Sequence, residues 1–213
     1  MMSYDLFAAA TVHLPFMLWA VRVGSRVYGT ADAESDHDYV AVLCSGTGYK
    51  DSDQIRKDSD LIRYASGGEH LDIMVRTQEA FQSSLDNQNV FAIECLWTPA
   101  EHILQGSDVL SGLRARWRLN PSLLRQQATE KSNSDYGHYL KTCGDRDRKT
   151  RKHLWHSLRV PMFAAQVLQY GRITDYTSPG VACSLYDDIM TDPNLDPTHW
   201  GQIRQDLLSR IYC

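Results

Sequence analysis

The segment VGSRVYGTADAESDHDYVAV, residues 23–42, constrains this chain more than any other part of it. Its first residues predict a short strand that ends at Gly24 and Ser25, and its last residues predict a second strand directly after Asp36 and Asp38. In an extended segment, residues i and i+2 point to the same side. We therefore expect the two carboxylates to converge on one point at the edge of a sheet.

Two converging carboxylates form a hard-oxygen site of the kind that Mg²⁺ or Mn²⁺ prefers. A glycine at the end of the neighbouring strand leaves the backbone open to an anion, and Ser25 adds a hydroxyl donor there. Two-metal sites place a second ion about 3.5–4 Å from the first. Asp72 is the candidate third carboxylate for that ion, because an acid between Leu71 and Ile73 on a half-buried strand is costly unless it binds a cation.

The first half of the chain predicts a small α+β domain. Residues 4–19 carry a helical pattern that Pro15 must end or kink, and the strand of Gly24 follows it. The stretch 45–60 is polar and without periodicity, which predicts a loop or lid. The runs LIRYAS and HLDIMVR flank Gly67-Gly68-Glu69 and predict an antiparallel hairpin.

The second half predicts helices. Three sites place a capping residue before proline, the favoured start of a helix: Asn120-Pro121, Ser178-Pro179 and Asp196-Pro197. Long helical patterns cover 121–143 and 149–170, the second closed by Gly171. We expect a mixed-sheet domain at 1–106 followed by a bundle of about four helices at 107–213.

The site residues carry a resemblance to a known family. Gly24-Ser25, then Asp36 and Asp38, then Asp72 resemble the GS…DxD…D signature of the polymerase-β nucleotidyltransferase superfamily. The run GSRVYGTADAESDHDY resembles bacterial and phage predicted nucleotidyltransferases of the YcgL-like group, in which a Gly-Ser-Arg-x-Tyr-Gly opening is typical. LDIMVRTQEAFQSSLDNQNVFAIECLW and KHLWHSLRVPMFAAQVLQYGRI are similar to later elements of that group, so the resemblance spans about residues 20–175.

The resemblance implies a fold and a reaction. The fold is a mixed sheet of five strands or fewer that carries the carboxylates, called a palm in this family. The reaction is transfer of an NMP from an NTP, with ATP the expected nucleotide, to an acceptor hydroxyl with release of pyrophosphate. Asp36, Asp38 and Asp72 would be catalytic and would hold two Mg²⁺ ions, or Mn²⁺, while Gly24 and Ser25 would bind the nucleotide.

Basic residues extend the predicted nucleotide site. Arg26 stands beside Ser25 and either contacts phosphate or pairs with Glu34. Lys152, His156 and Arg159 recur at i, i+4 and i+7 and so share one helix face. A basic stripe of this kind is commonly a solvated face, but its similarity to the family's helix makes it a candidate phosphate contact.

The acceptor stays open at this stage. The basic run RDRKTRK (146–152) and the resemblance favour an RNA 3′ end, and a protein hydroxyl, as in AMPylation by antitoxin-type members, is the alternative. Two other classes remain. One is a non-catalytic nucleotide- or nucleic-acid-binding protein on a decayed palm, and the other is a ribonuclease of the HEPN kind, suggested by the R-x4-H spacing of Arg148 and His153.

Composition excludes several other classes. The 213 residues carry a net charge of −4, which argues against a general nucleic-acid coat but allows a local basic face. The five cysteines include no CxxC pair, so no zinc ribbon or redox motif is expected. No signal-peptide pattern and no run of 18 apolar residues occur, so we expect a cytoplasmic protein without a membrane partner.

Overall fold

The computed structural model describes residues 2–12, 14, 16–33, 35–44, 60–66, 68–177 and 182–212. The strands are β1 (Met17–Val23), β2 (His37–Leu43), β3 (Asp60–Ser66), β4 (Glu69–Thr77) and β5 (Ile103–Gln105). The helices are α1 (Met2–Thr11), α2 (Ser25–Tyr28), α3 (Gln78–Asp86), α4 (Val90–Trp97), α5 (Ser107–Arg116), α6 (Pro121–Thr142), α7 (Arg148–Tyr170), α8 (Ala182–Thr191) and α9 (Pro197–Ser209), with a 3₁₀ turn at Ala100–His102.

The described strands form one mixed sheet in the order β3-β4-β2-β1-β5. The neighbours β1 and β2, β1 and β5, and β3 and β4 run antiparallel, whereas β2 and β4 run parallel. The sheet therefore consists of two antiparallel parts that meet along the parallel β2–β4 pair. The predicted α+β class, the mixed sheet and the helical C-terminal part are confirmed.

Alternation along the central strands decides which side chains lie on each face. One face carries Tyr39, Ala41 and Leu43 of β2 with residues of β4, and Phe7 of α1 packs against Tyr39 at 4.9 Å between ring centroids. The opposite face carries Trp19, whose ring contacts Phe81 of α3 at 4.6 Å. Both faces of the sheet are thus buried at its centre, and the ends of the strands are where polar residues can stand.

The later helices have a core of their own. Its buried residues come from α6, α7 and α9 and from the segment around α8: Tyr139, Leu154, Trp155, Leu158, Ile189, Leu195, Trp200 and Leu207. Asn120 caps α6 by accepting from Leu123 N at 3.1 Å, and Asp196 caps α9 by accepting from Thr198 N at 3.0 Å, each before a proline in the first turn. Gly171 ends α7 with φ +70°, which glycine adopts without strain. These two starts and this end confirm the sequence prediction.

The chain divides into two compact units. The first comprises residues 1–86 and 95–118 and contains the sheet, and the second comprises 87–94 and 119–213 and contains α6 to α9. These units do not coincide with 1–106 and 107–213, which stay a prediction as domain ranges.

The first helix was expected to end or kink at Pro15, and it ends before that residue; the extension of its pattern to residue 19 was wrong. The helical pattern assigned to 4–19 stops at Thr11, and β1 begins at Met17. Trp19 belongs to β1 because it pairs with Val42 in the antiparallel ladder.

The predicted helix start at Ser178-Pro179 and the predicted loop up to residue 59 lie outside the described residues. Among the described helices, none combines the length and apolar character that crossing a bilayer requires.

Candidate functional site

The end of β1 lies against the beginning of β2, and Gly24 makes this contact possible. Gly24 has φ +79°, which favours glycine, and its carbonyl accepts from Val27 N at 2.9 Å to start the short helix α2. A Cβ placed on Gly24 would stand 2.2 Å from Oδ2 of Asp38. The Asp38 carboxylate therefore occupies space that any other residue at position 24 would fill.

The predicted carboxylates of β2 and β4 are brought together. In the parallel ladder Asp38 is the direct partner of Asp72, so both side chains leave the same face of the sheet. Both residues are partly exposed at the strand ends. Asp36 is exposed in the segment before β2, two residues ahead of Asp38.

The side chain of Arg63 lies beside Asp72. Arg63 of β3 is the antiparallel partner of Asp72, and its Nε lies 3.7 Å from Oδ1 of that carboxylate. The side chain of Arg63 is 76% exposed and that of Asp72 is 35% exposed. Asp38 and Asp72, called the acidic edge below, are thus partly exposed, and Arg63 stands beside Asp72.

The segment that carries Asp36 is tied to α2. Arg26 donates from Nη2 to the carbonyl of Ser35 at 2.8 Å, and Ser35 donates from Oγ to Asp32 at 2.8 Å. Nε of Arg26 is buried and has no hydrogen-bond partner among the described residues. Its predicted alternative partner, Glu34, lies outside those residues. Arg26 thus orders the turn before β2.

His37 lies on the face opposite to Asp38, as alternation predicts. Its ring stacks on Tyr39 at 6.5 Å with 7° between the planes, and its Nε2 lies 2.8 Å from Oε2 of Glu69. The imidazole is buried, and the carboxylate is half-exposed. His37 therefore contacts the first residue of β4 and not the acidic edge.

The acidic edge fits a divalent cation in its chemistry. Asp38 and Asp72 supply hard carboxylate oxygens from one face, and the absence of a side chain at Gly24 makes room for the Asp38 carboxylate. Within the described ranges, no three or more His, Cys, Asp or Glu residues form a group that could hold a metal ion, so Asp36 does not join the other two in such a group. The assignment of Mg²⁺ to these three residues stays a prediction.

The predicted basic residues of α7 lie in the second unit and differ in exposure. Lys152 is exposed, and His156 is half-buried. Burial, followed by the nearby charges of Arg159, Lys131, His153 and Lys152, holds the pKa of His156 well below its ordinary value. His156 is therefore neutral at physiological pH in a positively charged environment.

Arg159 has a buried acidic partner. Its Nη2 lies 3.5 Å from Oε1 of Glu94, and the two side chains are 8% and 2% exposed. Its guanidinium also stands over the ring of Phe163, 5.7 Å from the centroid. Sequence reasoning missed this pair because Glu94 lies on α4, far from α7 in the chain, and no local pattern links the two.

The basic run 146–152 is partly structural. Asp147 caps α7 by accepting from Thr150 N at 2.7 Å, and this bond lowers the pKa of its carboxyl. Arg151 donates to the carbonyl of Asp192 at 3.0 Å and to that of Ile189. Only part of the run is therefore available to a polyanion, including the exposed Lys149 and Lys152.

His153, of the R-x4-H pattern, stacks on a second histidine. Its ring centroid lies 5.3 Å from that of His138 on α6. Burial first, and then the charge of His138, lowers the pKa of His153.

Arg63 was also missed, although a signal for it exists. Antiparallel pairing of β3 with β4 places Ser66 opposite Glu69, and the same register places Arg63 opposite Asp72. Extending the predicted hairpin by three residue pairs from the pair of 66 with 69 would have identified Arg63 as the partner of Asp72.

Neither a protein-family model nor a curated protein sequence matches this chain. Among solved structures, the chain is similar to a nucleotidyltransferase-like protein from Exiguobacterium sibiricum 255-15. The two share 11% identity with a TM-score of 0.38, over 99% of this chain and 74% of that one.

Proposed function

We propose that this chain is a magnesium-dependent nucleotidyltransferase that moves an NMP from an NTP to an acceptor hydroxyl. The observation that carries the proposal is the pairing of Asp38 with Asp72 in the parallel ladder, with Gly24 beside them. Two carboxylates on adjacent strands would supply ligands for a cation, and the Gly24–Ser25 turn beside them would supply donors for an anion. A nucleoside triphosphate needs both.

Each residue has a role in the proposed mechanism. Asp36, Asp38 and Asp72 would hold Mg²⁺, which when bound offsets charge on the triphosphate and on the leaving group. Ser25, through its hydroxyl, and the Gly24–Ser25 amides would bind the β- and γ-phosphates. Asp72 would accept the proton of the acceptor hydroxyl as its oxygen bonds to the α-phosphorus, and the bond from that phosphorus to the bridging oxygen breaks to release pyrophosphate.

Arg26 would support this arrangement. Its bond to the Ser35 carbonyl holds the segment that leads to Asp36, and its buried Nε is free to donate to phosphate. In the second unit, Lys152 and His156 stay proposed nucleotide-binding residues, whereas Arg159, predicted with them, is buried and paired with Glu94. For His156 the lowered pKa means that it would act as a neutral hydrogen-bonding group rather than as a charge.

We propose ATP as the first nucleotide and an RNA 3′ end as the favoured acceptor. The exposed lysines of the basic run, Lys149 and Lys152, support a polyanionic acceptor. Transfer to a protein hydroxyl uses the same chemistry and is the alternative. Membership of the YcgL-like group, which rests on the GSRVYG opening, belongs to the same proposal.

One labelling experiment tests the reaction and identifies the acceptor. The purified full chain is incubated with each α-³²P-labelled NTP, Mg²⁺ and either total RNA or cell lysate. If RNA or a protein band becomes labelled, that molecule is the acceptor. The labelled NTP that produces the signal identifies the nucleotide that the protein uses. Absence of transfer with every nucleotide overturns the proposal in favour of a decayed palm, and RNA cleavage that needs no NTP and is lost in His153→Ala favours the ribonuclease.

Matched variants test the residues. Asp36→Ala, Asp38→Asn and Asp72→Asn should each abolish transfer in a folded chain. Asp86→Asn, an exposed aspartate of α3 in the same unit, is the control and should keep activity. Retained transfer in Asp38→Asn or Asp72→Asn contradicts the assignment.

A further inference from the structure

A side-chain hydrogen bond joins the first residues of the two parallel strands. His37 begins β2 and Glu69 begins β4, and Nε2 of the histidine lies 2.8 Å from Oε2 of the glutamate. The His37 side chain is only 10% exposed, so water competes little for this bond on its side. The ring is also fixed by stacking on Tyr39.

The bond between His37 and Glu69 spans the junction on which the distance between Asp38 and Asp72 depends. The sheet consists of two antiparallel parts, β5-β1-β2 and β4-β3, joined along the parallel β2–β4 pair. Asp38 belongs to one part and Asp72 to the other. Their separation is therefore set by the β2–β4 ladder, and the ladder begins at His37 and Leu71, one pair before the two aspartates.

The end of a β-ladder is its least stable part, because backbone hydrogen bonding continues on one side only. The bond between His37 and Glu69 adds a connection across the junction at that end. It lies on the opposite face from the carboxylates, so neither side chain is placed to be a ligand itself. Its effect on the acidic edge acts through the backbone of the two strands.

We propose that His37 and Glu69 are a positioning pair that holds Asp38 and Asp72 at the spacing a divalent cation needs. This inference rests on the proposed function, in which those aspartates bind the cation. Groups that hydrogen-bond a metal ligand directly weaken metal affinity by about 10–100-fold when they are lost. His37 and Glu69 act through the strand backbone instead, so we expect an effect at the lower end of that range. This role requires only a hydrogen-bond donor at position 37 and an acceptor at position 69.

The test measures Mn²⁺ binding by electron paramagnetic resonance, beside NMP transfer and the unfolding temperature. His37→Ala and Glu69→Ala should each weaken Mn²⁺ binding about tenfold or more. Glu69→Gln should bind Mn²⁺ nearly as the wild type does, because its amide oxygen still accepts from Nε2. Glu101→Ala, an exposed glutamate of the first unit, is the matched control and should leave binding unchanged.

The outcomes separate this inference from the proposed function. Unchanged Mn²⁺ affinity in folded His37→Ala and Glu69→Ala overturns the positioning pair while leaving the nucleotidyltransferase intact. If an alanine variant does not fold, His37→Gln and Glu69→Gln decide. Each keeps a hydrogen-bonding group across the junction and should bind Mn²⁺ nearly as the wild type does, so a loss of about tenfold or more in folded Glu69→Gln overturns the positioning pair. Wild-type Mn²⁺ binding without transfer to any acceptor overturns the proposed reaction alone, and absence of Mn²⁺ binding to the wild type overturns both.

Discussion

The Oδ2 atom of Asp38 would lie 2.2 Å from a Cβ on Gly24, so the glycine and the carboxylate occupy their positions only together. Gly24 is at the end of β1 and Asp38 is in β2, and the antiparallel ladder pairs Val23 with Asp38. The Gly-Ser and Asp-x-Asp motifs are therefore parts of one contact. A sequence that keeps the aspartates but loses the glycine should lose the site.

Gly24→Ala should abolish Mn²⁺ binding and NMP transfer. The backbone of Gly24, with φ +79° and ψ −161°, lies in a region that is nearly exclusive to glycine and costs any other residue about 1–3 kcal/mol, and the new methyl group must also displace the Asp38 carboxylate. Gly171→Ala is the control, because its φ is +70° and a Cβ there meets nothing within 4 Å. Urea unfolding should show a loss of about 1–2 kcal/mol in the control with transfer kept; loss of transfer in both variants, or in neither, contradicts the steric explanation.

Arg63→Ala should tighten Mn²⁺ binding. The Arg63 guanidinium stands 3.7 Å from Asp72 and competes with a cation for that carboxylate. Exposed ion pairs contribute about 0–1 kcal/mol, so the change should be at most about fivefold, and it should shrink as salt rises. Arg116→Ala, an exposed arginine of α5, should change nothing. Weaker Mn²⁺ binding in Arg63→Ala would show that the arginine assists the site instead.

Local sequence signals predict much of this structure because they act over a few residues. The Asp-x-Asp spacing, the hairpin around Gly67-Gly68 and the capping residues Asn120 and Asp196 each depend on near neighbours. Helix α6 begins as its Asn-Pro pair indicates, and β3 pairs with β4 as the glycines indicate.

Long-range pairing is what the sequence could not provide. Strand β5 is three residues long and pairs with Ala20 and Val21 from more than 80 positions away, so no pattern within it predicts a strand. Arg159 looks like part of a basic stripe in the sequence, but its partner Glu94 on α4 makes it a buried, paired charge. Burial of this kind is a property of packing and has no local signature.

Glu94→Gln should destabilise the second unit. The Arg159–Glu94 pair is almost wholly buried, and removing one partner of a buried pair leaves an uncompensated charge at a cost of about 3–5 kcal/mol. The double variant Glu94→Leu/Arg159→Met should recover most of this loss, because two apolar residues replace both charges. Urea unfolding followed by tryptophan fluorescence measures both. A double variant no more stable than Glu94→Gln would show that the charge pair itself is not the source of the loss.

Acid should weaken the fold through His156. Burial and the surrounding charges of Arg159, Lys131, His153 and Lys152 lower its folded-state pKa well below the ordinary value of 6.5. As pH falls below about 6.5, the unfolded chain binds a proton at this residue and the folded chain does not. The free energy of unfolding is therefore highest above that pH and falls as pH is lowered towards the folded-state pKa.

His156→Gln should remove part of this dependence, with the remainder due to His153 and His102, whose pKa values burial also lowers. Urea midpoints at pH 7.5 and 5.5 measure the slope. His199→Gln, an exposed histidine of α9, should keep the wild-type slope. If the slope of His156→Gln equals that of the wild type, then His156 takes up its proton in the folded chain, and the charges around it do not exclude the imidazolium.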